Sequence, residues 1–449
     1  MKSTVKGGTG LASGVAVTLA LALVAACTAS SDAQPGAQPG EGAGEDGGLP
    51  PSDAGSADDA APTDDADAAT SECSPDGWCP TTLPGSDIEV WDVVPFENRA
   101  FGLMRSANLN NKVAEWTPEN GWRLISKNTG IAFPAWQIPG LLWAPDEDTV
   151  YFSVADLSGL DGGTYGAFIL RGRRPVAPAT EWSWTTSKIE CDRLTYTAPI
   201  GGTPGGNVYT STCGKLYRLD PSPDPAADAG TDALHWVEED TGADLSSPLE
   251  LYAIGGTGPD DLWVTGFRAS DDFSALACGV VLHKTAAGYR TLFDGVASID
   301  AVTSKNVCIA KNGVAMLPNR LSDTLLLPAK NRLITATLED GVYVKNVLVS
   351  MTDVDEQVTL QTWRPTEDFT DLSAPWGTSP DDLFVIVTRS PFTPVIRAQS
   401  VWGSTPSYGF SQIAQNGLPN MKTLRKIRGT SNQNMWLVGN QYAYHKTTP

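Results

Sequence analysis

The chain has 449 residues and a formal net charge of -21. That acidity argues against nucleic acid as a partner, because phosphate backbones are bound by basic surfaces. The 44 Gly, 32 Pro and 14 Trp suit many short strands joined by many turns.

Lys2 and Lys6 precede an apolar run from Leu11 to Ala26 that ends Val24-Ala25-Ala26-Cys27. A basic start, a short apolar core and small residues before a cleavage point make a secretory signal over residues 1–26. The run is short for a membrane span. Its ending resembles a bacterial lipobox, in which Cys27 becomes the lipidated first residue. Stable anchoring needs more than one acyl chain, which a lipidated Cys27 carries. Residues 28–72 contain eleven acids, no base and almost nothing bulky. Such a segment cannot bury enough apolar area to offset its ordering entropy, and its like charges extend it. Residues 27–72 therefore read as a disordered acidic tether. The pairs Asp58-Asp59 and Asp64-Asp65 lack the loop pattern of a calcium site and read as solvated charge.

The folded part is expected over residues 73–449. Its organising unit is GTGPDDLWVTG, Gly256 to Gly266, which returns as GTSPDDLFVIV from Gly377, GTSNQNMWLVG from Gly429 and GTPGGNVYTST from Gly202. An aromatic follows the Gly by seven residues in each: Trp263, Phe384, Trp436 and Tyr209. Weaker copies place Tyr151 seven after Ala144, and Phe101 after the turn PFENRA. Short apolar runs flank each turn, so each copy reads as a β-hairpin. Gly, Pro and Asp supply the turn chemistry. By this reading Asp260-Asp261 and Asp381-Asp382 are turn formers, and the aromatics pack between repeats.

Two markers count the repeats. Strands leading into the turns are expected at Ile88–Val93, Leu141–Trp143, Leu194–Thr197, Leu251–Ile254, Ile299–Val302, Leu372–Trp376 and Leu424–Ile427. Later strands opening on an aromatic are expected at Trp78, Trp122, Trp182, Trp236, Tyr289, Trp363 and Tyr408. Both counts are seven. They predict an all-β fold: one β-propeller of seven four-stranded blades. An eighth blade stays open, because strand-like runs at Leu333–Leu338 and Val342–Val349 fall in the long gap after Tyr289. The surplus strand at Trp78 matches a missing outer strand after Tyr442-Ala-Tyr444. The N-terminal strand is therefore expected to complete the last blade and hide its edge.

Six Cys remain besides Cys27. An even number in an oxidising compartment points to disulfides, with 15 possible pairings. The pairing chosen is Cys73–Cys79, Cys191–Cys213 within one repeat, and Cys278–Cys308 between adjacent repeats. A zinc site is disfavoured, since no CxxC occurs and the only His are His235, His283 and His445. No metal and no cofactor is expected.

The lipobox, acidic tether, CSPDGWCP start and G-T-S-P-x-D-[LV]-W repeats together resemble a group of secreted bacterial propeller-repeat lipoproteins. The resemblance implies a propeller at the cell envelope, lipid-anchored at the outer membrane or cell surface, and no particular activity.

Catalytic motifs are absent: there is no G-x-S-x-G elbow, H-E-x-x-H, Walker loop or sialidase Asp-box. Asp353 and Asp355 sit in what reads as a polar loop. The insertions Pro221–Ala233 and Ser390–Pro394 read as variable surface loops. The expected function is a monomeric binding or scaffolding module for an unidentified protein or glycan. The alternatives are a hydrolase or lyase with an unrecognised site in the channel, or an envelope-assembly factor.

Overall fold

In the computed structural model the chain folds through antiparallel strands, and no helix occurs among the described residues. Those residues are 73–448, except 107–110, 127–141, 157–162, 196, 205, 222–233, 246–247, 270–276, 300–305, 312, 318–320, 323–324, 338–346, 367–368, 370, 389–392, 416–417 and 420–421. The signal segment, Cys27, the tether and most of the two insertions lie outside them.

Twenty-eight strands form seven four-stranded sheets, the seven blades of a β-propeller. In six blades four consecutive strands run as a meander from the innermost to the outermost; in the seventh the last three strands of the chain do so and an N-terminal strand supplies the outermost. The innermost strands are Glu89–Phe96, Leu142–Trp143, Ile200–Gly202, Leu249–Gly258, Leu326–Ala329, Asp371–Ser379 and Leu424–Ser431, for blades one to seven. Each touches the next in chain order, and the last touches the first. The ring is closed as the sequence predicts. Trp78–Pro80 pairs with Tyr442–Lys446, setting Trp78 opposite Lys446 and Pro80 opposite Tyr444.

The eighth-blade alternative is resolved in favour of seven. The run at Leu333 is the second strand of blade five, Arg332–Ala336, and the run ending at Val349 leads into its third, Leu348–Val354. Residues 342–346 lie outside the described set. Two of the expected inner strands were misplaced. Blade three starts at Ile200, not Leu194. Ile299 belongs to a two-stranded ribbon, Gly295–Ile299 with Asn306–Ala310, inserted between blades four and five. Blade five lacks both the Gly-Thr turn and the aromatic, and Ile334 takes the aromatic's place. A second ribbon, Ala414–Gln415 with Leu418–Pro419, precedes blade seven.

The hydrophobic core is seven wedges, one between each pair of neighbouring blades. The residue two beyond each inner turn enters the next wedge: Phe101, Tyr151, Tyr209, Trp263, Ile334, Phe384 and Trp436. Trp263, for example, packs with Leu333, Val349 and Met351 of blade five. Trp436 packs with Val90, Met104 and Trp122 of blade one. Each large buried ring removes apolar area worth about 1.5–3 kcal/mol, so the repeat aromatic is a blade-to-blade wedge.

Three disulfides are formed: Cys73–Cys79, Cys191–Cys213 and Cys278–Cys308. The second does not lie within one repeat. It ties the outer strand of blade two, Ser183–Cys191, to the hairpin turn of blade three at Cys213. The third ties the third strand of blade four to the inserted ribbon rather than to blade five.

Candidate functional site

The repeat turn differs from its sequence reading in both the Gly and the acid. Gly202, Gly256, Gly377 and Gly429 are not in the left-handed region. They are small because the backbone folds onto them. A Cβ would lie 2.2 Å from the Asn207 carbonyl oxygen, 2.4 Å from that of Asp261, 2.2 Å from that of Asp382 and 2.8 Å from that of Asn434. In each copy that carbonyl belongs to the residue five positions on. Two of these glycines also admit a Trp from the preceding blade. A Cβ would lie 2.7 Å from Trp143 Nε1 at Gly202 and 2.6 Å from Trp376 Cζ2 at Gly429.

The first acid of each Asp-Asp pair, Asp260 or Asp381, is exposed. The second is an anchor. It heads the blade's second strand and bonds a side chain on the third strand, opposite the repeat aromatic. Asp382 accepts two bonds from Arg397, each 2.8 Å, and Arg397 is the cross-strand neighbour of Phe384. The Arg397 guanidinium holds the Asp382 carboxyl below the usual carboxylate range. Asn434 accepts from His445 Nε2 at 2.9 Å, and the imidazole stacks on Trp436 at 4.4 Å. Burial pushes His445 down to about 4. Blade one reverses the charges: Arg99, at the anchor position, donates to Glu115 on the third strand. Blade five keeps the geometry with Arg332 donating to Ser350 at 3.1 Å. These pairs hold the turn against the third strand and fix the face that the next blade packs on.

The densest anchor lies between blades four and five. Asp261 is buried and accepts from His283 Nε2 at 2.8 Å, Trp263 Nε1 at 3.0 Å and the Asn331 amide at 3.1 Å, as well as from Thr257 Oγ1. His283 Nδ1 meets Asp353 of blade five at 2.7 Å, and Asp353 also accepts from Arg290 at 3.0 Å. The imidazole stacks on Trp263 at 4.1 Å. Each ring nitrogen thus faces a carboxylate oxygen, one from each of the two blades. Burial by itself raises the Asp261 carboxyl, but the bonds from His283, Thr257 and Asn331 outweigh it and leave the pKa lowered. His283, Asp261 and Asp353 are buried, while Arg290 reaches the surface. The imidazole latches two blades and has no access to a substrate. Asp353 is therefore a buried strand residue, not a loop carboxylate, while Asp355 sits exposed in the following turn at φ 50°.

Among the described residues, three concavities could take a ligand. The central channel, about 320 Å³, is lined by all seven inner strands. Most of its described lining residues are apolar or glycine, with Trp143, Trp376, Ile254 and Leu327 among its walls, and polar atoms share the exposed surface with apolar ones. Arg428 is the one charged residue there, and the buried Asp92 engages it through two contacts of 3.1 Å. Trp143 Nε1 is buried there without a hydrogen-bond partner. Outside the ring, a polar groove of about 400 Å³ between blades one and two holds Glu115, Asn120, Arg123, Arg174 and Trp182. Arg174 donates to Glu115 at 2.7 Å and stacks on Trp182 at 4.9 Å, while Arg123 is exposed. A third concavity, about 450 Å³, lies beside the ring closure among Asp76, Arg397, Tyr408, Phe410 and Lys446. Among the described residues no three of His, Cys, Asp and Glu are placed to hold a metal ion.

Sequence reasoning missed the third-strand partners His283, Arg397 and His445. Their separations from Trp263, Phe384 and Trp436 differ from blade to blade, so no fixed spacing marks them.

No protein-family model matches the chain, and no curated protein does. Solved structures align at low similarity. One is the extracellular domain of a hybrid two-component system from B. thetaiotaomicron, at 11% identity and TM-score 0.46, over 82% of this chain and 39% of that one. A prolyl endopeptidase aligns at 10% identity and TM-score 0.46, over 78% and 45%. Prolyl oligopeptidase B from Galerina marginata aligns at 8% identity and TM-score 0.43, over 78% and 47%. The chain thus spans less than half the length of each of these three. The blade assignment rests on the chain's own strand pairing.

Proposed function

We propose that this chain is an envelope-anchored binding module, with a rigid propeller that presents its blade one–two groove to a protein or glycan. The observation that carries the reading is where the polar chemistry lies. Acid–base work needs titratable groups within reach of one substrate, and the described channel lining holds no carboxylate, no His and no nucleophile. The buried acids are engaged by other side chains: Asp261 and Asp353 with His283, Asp92 with Arg428, Asp294 with Arg268, Asp156 with Lys188, and Glu250 with Thr195 and Thr197. The groove between blades one and two instead combines an exposed Arg123, the amide of Asn120 and the Arg174–Glu115 pair, a polar set suited to recognition.

The address follows from chemistry at the N-terminus and the cysteines. Disulfides persist in oxidising compartments, and three are present. With the lipobox ending at Cys27 they support a lipid-anchored protein outside the inner membrane. Replacing Cys27 by Ser is expected to move the protein from the membrane to the soluble fraction; continued membrane association refutes the anchor. For the binding role, immobilised chain is exposed to envelope extracts and to an array of envelope glycans. The wild type is expected to enrich a partner that Arg123→Glu loses. No enrichment by the wild type, or equal enrichment by the variant, refutes the groove.

A further inference from the structure

The outer edge of blade five is unlike those of the other blades. Its outermost strand, Gln357–Trp363, reads QVTLQTW and lies at the end of its sheet. Its first six residues are exposed on both faces. Exposed edges are normally blunted by charge, Pro or brevity, because their free N–H and C=O groups invite another strand. The other outer strands follow that rule. Ser183–Cys191 carries Lys188 and Glu190, His235–Glu239 ends in two acids, Gly288–Phe293 carries Arg290 and Gly121–Leu124 carries Arg123. Ser407–Ser411 is shorter and broken by Gly409, and Trp78–Pro80 is three residues long. Gln357–Trp363 has seven residues and no charge, Gly or Pro. It also presents Val358 and Leu360, 37% and 41% exposed, on one face.

We propose that this strand is a homodimerisation edge: two copies pair antiparallel across a two-fold axis at Thr359, joining two blades into one eight-stranded sheet. The identity of the occupant comes from the order of the residues. Gln357-Val358-Thr359-Leu360-Gln361 reads the same in chemical type in both directions. A two-fold axis at Thr359 therefore sets Gln357 against Gln361, Val358 against Leu360 and Thr359 against its own mate. Directly opposed residues share a face of the sheet, so the aliphatic pairs meet on one side and the amides on the other. A one-residue slip sends each side chain to the wrong face, a two-residue slip one way sets Leu360 against Glu356, and the same slip the other way sets Val358 against Thr362. An isologous contact needs such a self-complementary patch. The chain is acidic in sum, with net charge -21, and an uncharged strand lets two copies approach with little local like-charge repulsion. This inference is independent of what the groove binds, and it differs from the monomer expected from sequence.

One strand pair buries little area, so the dimer is of the weak, reversible class. Sedimentation equilibrium of the purified full chain, over a series reaching about 100 µM, is expected to show a monomer–dimer equilibrium. Thr359→Lys places each Lys against its mate and is expected to raise the dissociation constant about tenfold or more. Its circular dichroism and melting are expected to match the wild type, since residue 359 is exposed. The register is read separately by a short bismaleimide crosslinker. Thr359→Cys chains are expected to crosslink into dimers. Thr362→Cys chains are not, because three residues on either side of the axis separate the mates by about 20 Å. A chain that stays monomeric throughout overturns the proposal, whether or not another protein's strand binds the edge. So does a dimer that Thr359→Lys leaves intact, or equal crosslinking at both positions.

Discussion

Replacing Asp261 by Ala separates an anchor from a turn former. Asp261 is 1% exposed and accepts four bonds, from His283, Trp263, Thr257 and the Asn331 amide. Trp263 and His283 have no exposed surface, so their N–H groups cannot turn to bulk water. Each orphaned buried donor costs about 1–3 kcal/mol, and four donors lose their acceptor together. These terms share one site and do not add. The expected loss is therefore about 3–5 kcal/mol, a large share of the roughly 5–15 kcal/mol that holds a typical fold. Asp260→Ala, one residue earlier and exposed, is expected to cost no more than about 0.5 kcal/mol. Urea unfolding of the purified chain gives both numbers, with an unchanged slope confirming that only stability moved. Should Asp261→Ala fail to accumulate folded, Asp261→Asn keeps the shape and one acceptor and is expected to fall between the two. Equal losses at positions 260 and 261, or a loss below about 1 kcal/mol at 261, refute the anchor and restore the simple turn.

Three further outcomes are expected. Gly256→Ala drives a Cβ to within 2.4 Å of the Asp261 carbonyl oxygen and 2.7 Å of Thr203, so it is expected to cost about 1–3 kcal/mol of overpacking. Gly409→Ala, with open space around its Cβ and no positive φ, is expected to be neutral within about 0.5 kcal/mol, as thermal melts of the two variants will show. Trp78→Ala removes a fully buried ring and its 2.9 Å bond to Ser411. It is expected to cost about 3–5 kcal/mol, and a loss below about 1 kcal/mol would mean the ring closes without that strand. His445 takes up its proton at about 4 in the folded chain but at about 6.5 in the unfolded chain. The unfolded state therefore binds more protons between those values, and stability falls as pH drops through that window, by at most about 3 kcal/mol. Urea midpoints for the wild type and His445→Gln, measured from pH 7 to pH 4, should converge as the pH is lowered; parallel curves would show that His445 does not contribute.

The period of the chain was legible because strand alternation and turn residues are local, and a blade is built from contacts close in sequence. The count of seven, the closing strand at Trp78 and the wedge role of Trp263, Phe384 and Trp436 all follow from that period. Blade five escaped because its turn has no Gly-Thr and Ile334 replaces the aromatic, so the marker fell on the ribbon at Ile299. The Gly of the repeat was found for the wrong reason: its constraint is a carbonyl oxygen folded onto it, which no local propensity reports. The anchors could not be read at all. Antiparallel register sets His283 beside Trp263, Arg397 beside Phe384 and His445 beside Trp436 whatever the length of the loop between their strands. Spacing in sequence thus carries no trace of the pair. The Asp353 contact to His283 crosses from one blade to the next, and only the packing of blade five against blade four brings those two side chains together.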